Sequence, residues 1–179
     1  LKAHGVTNPT VYQTLKSDLL GRVLELRKQA GMDTERLLYL GMDMGPAIYR
    51  GTDAAKTYRE IELPKLVGKT KKIAADFAFE NVYFYARDEG RGELLLEQQP
   101  AWNSVQAAGG RVMAAGWRSS GEKPGNFDTT GGMEDLYVCL GMPSRFESAR
   151  WHEKGKLIYS YQNPTGGQEL PETWRRNYG

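Results

Sequence analysis

The feature that most limits the fold of this 179-residue chain is a regular alternation of short apolar runs with longer stretches of helical periodicity. Runs at 6–10, 37–43, 82–89, 111–117, 135–141 and 156–162 read as strands, because turn-forming and polar residues bound them. Helical patterns cover 12–29, 64–80, 93–108 and 144–154. In the first of these, Leu15, Leu19, Leu20, Val23, Leu24 and Leu26 recur at the spacing of one helix face. Ser144, placed just after Pro143, is suited to cap the last. Leu37-Leu38-Tyr39-Leu40 shows no polar alternation, as expected of a strand covered on both faces.

Strands that alternate with helices form a parallel sheet with right-handed crossovers, either doubly wound or closed into a barrel. A nucleotide-binding doubly wound domain carries a glycine fingerprint after its first strand, and neither GxGxxG nor a Walker sequence occurs among the 21 glycines. The expected fold is therefore α/β, a (β/α)8 TIM-type barrel. A complete barrel takes eight βα units in about 250 residues, whereas six strands are counted here. Residues 1–179 are thus expected to be a partial catalytic barrel domain, truncated at its C-terminus and at its N-terminus. Residues 169–179 read as a helix running into the stub of a next strand.

Composition removes several functions. Lys and Arg number 24 against 22 Asp and Glu, a net charge of +2, so no basic surface suggests nucleic acid. The run Lys65, Lys69, Lys71 and Lys72 reads as a solvated helix face. Cys139 is the single cysteine, and neither His4 nor His152 has zinc-ligand spacing around it, so no metal and no cofactor are expected. No apolar run reaches the roughly 18 residues of a membrane span. Asn8-Pro9-Thr10 and Asn163-Pro164-Thr165 both carry the proline that forbids glycosylation, so the residues leave the compartment open.

In parallel barrels the chemistry sits at the carboxyl ends of the strands, where the βα loops gather. Those ends carry Asn8, Asp43, Asp88 with Glu89, Trp117 with Arg118, Met142, and Tyr161 with Gln162 and Asn163. Acids, amides and flat rings in one place suit a sugar, with rings against C–H faces and polar groups against hydroxyls. Asp88-Glu89 is the sharpest element, because two adjacent carboxylates at a buried strand end cost desolvation and mutual repulsion. The structural alternative is that one acid caps the following helix. Asp43 reads either as a helix cap or as a ligand for a substrate hydroxyl. Trp117 and Tyr161 read as core or as sugar contacts, and His152 as a surface residue.

Tyr85-Ala86-Arg87-Asp88-Glu89 resembles the Tyr-x-x-Asp-Glu strand end of glycoside hydrolase family 123 and the related domain of unknown function 4091 proteins. His4-Gly5-Val6-Thr7, the strand with Asp43, Asp135-Leu136-Tyr137-Val138 and Trp174-Arg175 follow in the order of that barrel's landmarks. Gly90 stands where those relatives often place proline. The resemblance implies retaining hydrolysis of β-linked N-acetylhexosamines, in which the substrate's own acetamido oxygen attacks the anomeric carbon. It implies Glu89 as general acid and then base, and Asp88 as acceptor of the acetamido N–H. Tyr85, Tyr161, Trp117, Asp43 and Asn163 are then the expected substrate-binding residues. It also implies a secreted or periplasmic setting and a glycan or glycoside as partner.

Two alternatives stay open at this point. One keeps the barrel but pairs Glu89 with a distant carboxylate, Asp43 or Asp128, as in other glycosidases. The other is a noncatalytic carbohydrate-binding or scaffold barrel.

Overall fold

The computed structural model of the protein describes residues 1–41, 51–85, 87–117, 125–141 and 143–161. Among them six strands, β1 (Val11–Tyr12), β2 (Arg36–Leu40), β3 (Asn81–Tyr85), β4 (Arg111–Trp117), β5 (Leu136–Leu140) and β6 (Leu157–Tyr161), are hydrogen-bonded in sequence order. The pairs β1/β2, β2/β3, β3/β4 and β5/β6 are parallel. With helices on the connections, this is the α/β architecture expected from the alternation. By its contacts the chain divides into two compact units.

The first unit holds residues 1–87 and 97–113. Its helices are α1 (Leu20–Gln29), α2 (Asp53–Thr57), α3 (Leu63–Asp76) and, after an intervening α4 (Glu93–Leu96), α5 (Gln99–Ala107). Leu20 and Leu24 of α1, Leu37 and Tyr39 of β2, Leu63 and Val67 of α3, Phe84 of β3, and Trp102 of α5 are its buried centre. Tyr39 meets Phe84 at a ring separation of 6.1 Å. β2 buries Leu37 and Tyr39 and half-exposes Arg36, Leu38 and Leu40, so it is covered more on one face than its unbroken apolar run predicts.

Three local departures have physical causes. The first strand lies at Val11–Tyr12 rather than 6–10, because Arg27 takes the Asn8 side chain at 2.6 Å and the Pro9 carbonyl at 3.0 Å. Those groups are therefore used outside the sheet, and α1 begins only after a turn in which the Ser17 hydroxyl accepts from Leu19 N–H at 3.2 Å. Residues 53–62, expected in a loop, are helical: Thr52 caps α2, and a π-type segment over Tyr58–Glu62 leads into α3. Pro64 lies in the first turn of α3. Its ring and missing N–H cannot continue an ordinary helical ladder, and the widened turn, with Leu63 N–H on the Tyr58 carbonyl, absorbs the defect. The helix expected at 93–108 is broken into α4 (Glu93–Leu96) and α5, with buried Gln98 between them and Pro100 opening α5.

The second unit holds residues 88–96 and 114–179, and its described elements are α4, the end of β4, α6 (Asn126–Thr130), β5, α7 (Arg145–Glu153) and β6. Ser144 caps α7 as expected, accepting from Glu147 N–H at 3.1 Å. Trp151 of α7 stacks on Tyr137 of β5 at 4.9 Å and meets Phe127 of α6 edge-on at 5.1 Å. With Cys139 and the flanking Ile158 these rings form a satellite core. Burial raises the Tyr137 phenol well above the usual tyrosine range, with Cys139 and Glu147 adding to it.

Beside that core lies Glu134, fully buried. Thr130 Oγ1 is 2.6 Å from Glu134 Oε2 and 3.0 Å from the Asn126 carbonyl, and it accepts the Gly132 N–H at 3.3 Å. One hydroxyl proton cannot serve two acceptors. If it goes to the Asn126 carbonyl, the Glu134 carboxyl must be protonated and donate. Burial pushes this carboxyl up to about 7, against the smaller opposing effect of Thr130 and of Lys156, which is itself paired with Asp135 at 2.6 Å.

Candidate functional site

The candidate site begins where β3 ends. Tyr85 is the last residue of β3, half-buried and in register with Met113. Two residues later the Arg87 N–H donates to the side-chain oxygen of buried Gln98 at 2.7 Å. This bond fixes the backbone immediately before the acidic pair. From Asp88 the chain passes into the second unit.

Asp88 and Glu89 occupy a turn and both are exposed. This corrects the expectation of a buried carboxylate pair: the turn carries them past the strand end, where water relieves their repulsion. Glu89 has φ +46°, in the left-handed region that a glutamate rarely adopts. Such strain concentrates at functional positions.

Tyr161, the last residue of β6, donates its hydroxyl to Glu89 Oε1. Partial burial, that hydrogen bond, and the negative charges of Glu89 and Asp88 all raise the Tyr161 phenol above the usual tyrosine range. It therefore stays a donor through the physiological range and fixes one oxygen of the Glu89 carboxyl. The other oxygen, Oε2, is left for exchange with a ligand.

Trp117, the last residue of β4, is half-buried. Its backbone N–H donates to Asn126 Oδ1 at 3.3 Å. Gly116 permits that approach, since a Cβ there would lie 2.5 Å from the same oxygen. The Arg91 guanidinium lies over the Trp117 ring, 3.6 Å from its centre. Within the second unit Asp88, Glu89, Arg91, Trp117 and Tyr161 thus all fall in the segment after β3 or at the ends of β4 and β6.

Arg91 was not foreseen from the sequence. The only signal for it is its place between two glycines in Glu89-Gly90-Arg91-Gly92, directly after the acidic pair. Asp43 and Asn163 lie outside the described residues. Asp128, the distant carboxylate considered as a partner for Glu89, is engaged elsewhere: Oδ1 pairs with Arg150 at 2.5 Å and Oδ2 accepts the Gly125 N–H at 2.9 Å. His152 is exposed on α7. Among the described residues no group of three or more His, Cys, Asp and Glu could hold a metal ion, and no helix is long and apolar enough to cross a membrane.

No protein-family model matches the sequence, and no curated protein matches it. Among solved structures the chain is similar to the crystal structure of the Bacillus cereus spore cortex-lytic enzyme SleL, at 13% identity and a TM-score of 0.41. The match covers 81% of this chain and 39% of that one, so the chain spans well under half of that enzyme's length.

Proposed function

We propose that this chain carries a glycoside hydrolase site of (β/α)-barrel type, acting on β-linked N-acetylhexosamines with retention through the substrate's own acetamido group. The observation that carries the reading is the placement of Tyr161 on Glu89, beside Asp88, with Glu89 held in a left-handed turn after β3. The resemblance of Tyr85-Ala86-Arg87-Asp88-Glu89 to the family motif supports the same assignment.

In this reading Glu89 enters protonated on Oε2, while Tyr161 holds Oε1. The acetamido carbonyl oxygen attacks the anomeric carbon as the glycosidic C–O bond breaks, and the Glu89 proton passes to the leaving oxygen. Asp88 accepts the acetamido N–H, which orients the nucleophile and offsets the positive charge of the oxazolinium ring. Water then attacks the anomeric carbon, gives its proton to the Glu89 carboxylate and opens the ring. Two inversions give net retention, and the net reaction is addition of one water across the glycosidic bond. Tyr85, Asp43 and Asn163 are assigned to substrate binding on the sequence motif and strand ends.

Rate dependence on the acetamido group tests the mechanism. Aryl hexosaminides with N-acetyl and N-trifluoroacetyl groups are to be compared with the full chain. Fluorine weakens the carbonyl oxygen as a nucleophile, so turnover falls steeply if that oxygen attacks. Equal turnover of the two would remove substrate assistance.

The exposure of Asp88 and Glu89 favours a second reading, a carbohydrate-binding barrel without hydrolysis. A general acid is ordinarily shielded from bulk water so that its proton is delivered to the substrate. Under this reading sugars bind, and no aryl glycoside is turned over.

A further inference from the structure

Arg91 stands two residues after Glu89 in a segment whose next residue, Gly92, has φ +51°, a conformation that favours glycine. The backbone so turned delivers the Arg91 side chain onto Trp117, with the guanidinium 3.6 Å from the indole centre. That distance is van der Waals contact, and it is the arrangement in which a cation meets the negative face of the ring.

Asp88, Glu89 and Glu93 are all within three residues of Arg91 in sequence, yet its guanidinium pairs with no carboxylate among the described residues. It also makes no hydrogen bond there, and the residue is exposed. Laying a guanidinium on an aromatic face occupies its flat side and leaves its N–H donors pointing outward from the edge. Trp117 is itself held by Asn126 through its backbone N–H. The result is a cationic fork on an aromatic face, with donors unused among the described residues and two residues along the chain from the carboxyl assigned as general acid.

We propose that Arg91 on Trp117 forms a subsite for a sugar bearing a carboxylate, a hexuronate or a carboxyalkyl ether, joined to the hexosamine that Glu89 and Asp88 address. The inference rests on the glycosidase reading and deepens it by naming the substrate class. A planar carboxylate matches the guanidinium fork with two parallel hydrogen bonds. Arg91 follows Asp88 and Glu89 by three and two residues, so with Glu89 protonated as the general acid residues 88–91 carry no net charge. One arginine therefore offsets the charge of a planar carboxylate, whereas a phosphate dianion brings a second charge that it does not offset.

The test is binding, kept separate from turnover by using the full chain with Glu89→Gln. Calorimetric titration uses a tetrasaccharide of alternating β-hexosamine and hexuronate, beside the same oligosaccharide with its carboxyls reduced to alcohols. The carboxylate form is expected to bind about tenfold more tightly, in line with charge-assisted bidentate pairing. Adding Arg91→Gln removes that preference and changes the affinity of the neutral form less than about twofold. Arg91→Lys keeps the charge and loses most of the preference, because an ammonium lacks the fork. Equal binding of the two forms, persistence of the preference in the Gln variant, or no binding of either form would each overturn the proposal. Turnover of a neutral aryl N-acetylhexosaminide by the unmodified chain is measured beside it. If that turnover is present, the glycosidase reading stands although the carboxylate subsite has failed.

Discussion

The Tyr161 hydroxyl at the end of β6 donates to the Glu89 carboxyl, which lies 72 residues earlier in the turn after β3. A contact so distant in sequence fixes an exposed acid that sits on strained backbone. Tyr161 is accordingly a positioning residue for Glu89. Tyr161→Phe removes the donor and leaves the ring, so kcat is expected to fall about tenfold to a hundredfold with KM little changed. Steady-state kinetics on an aryl N-acetylhexosaminide separates the two parameters, and an unchanged kcat with a raised KM would make Tyr161 a binding residue instead.

The left-handed backbone at Glu89 predicts a conflict between stability and activity. A glutamate there costs on the order of 1 kcal/mol, whereas asparagine tolerates the conformation. Glu89→Asn is therefore expected to unfold at the same or a slightly higher urea concentration than the unmodified chain, while its activity disappears. Destabilisation beyond about 1 kcal/mol would show that the Tyr161 contact outweighs the strain.

Glu134 predicts a pH-dependent stability. Its carboxyl is raised from 4.5 to about 7 by burial. An acid that holds its proton more tightly in the folded state contributes fully to stability below the unfolded value, and that contribution is lost as pH rises through the folded one. Urea denaturation is expected to show stability falling by roughly 3 kcal/mol between acid and mildly alkaline pH through this group. Glu134→Gln, which keeps the shape without the titration, flattens the profile over that window. An identical slope in the variant would place the titration elsewhere.

Gly116 predicts a steric effect on the support of the Trp117 backbone. A Cβ at this position meets both polar atoms of the Asn126 side chain, at 2.5 and 2.6 Å. Since that side chain accepts the Trp117 N–H, Gly116→Ala is expected to cost about 1–3 kcal/mol. Thermal unfolding checks the cost. A neutral substitution would mean that Asn126 moves aside freely.

The alternation of strands and helices is legible in the sequence, and the departures from it are physical. The 111–117 strand and the Ser144 cap are settled by local chemistry, a β-prone run in one case and a hydroxyl three residues before an N–H in the other. The first strand was misplaced because Arg27 draws Asn8 and Pro9 away from the sheet, a contact across 18 and 19 residues that no local pattern contains. Pro64 argued for a helix start, while the chain carries the helix through it by widening the preceding turn. At the site, Trp117 and Tyr161 are legible as strand-end residues, whereas Asp88 and Glu89, expected at the end of a strand, lie in a turn beyond β3. The exposure of Asp88 and Glu89, the pairing of Tyr161 with Glu89 and the seat of Arg91 on Trp117 depend on tertiary placement.

The central claim is that Asp88 and Glu89 perform hydrolysis together. Its most direct test is hydrolysis of chromogenic β-N-acetylgalactosaminide and β-N-acetylglucosaminide by the full chain, beside Glu89→Gln and Asp88→Asn. We expect turnover by the unmodified chain and losses of about a hundredfold or more in each variant, the scale of removing a general acid or an electrostatic partner from the transition state. Turnover that neither substitution reduces would contradict the account.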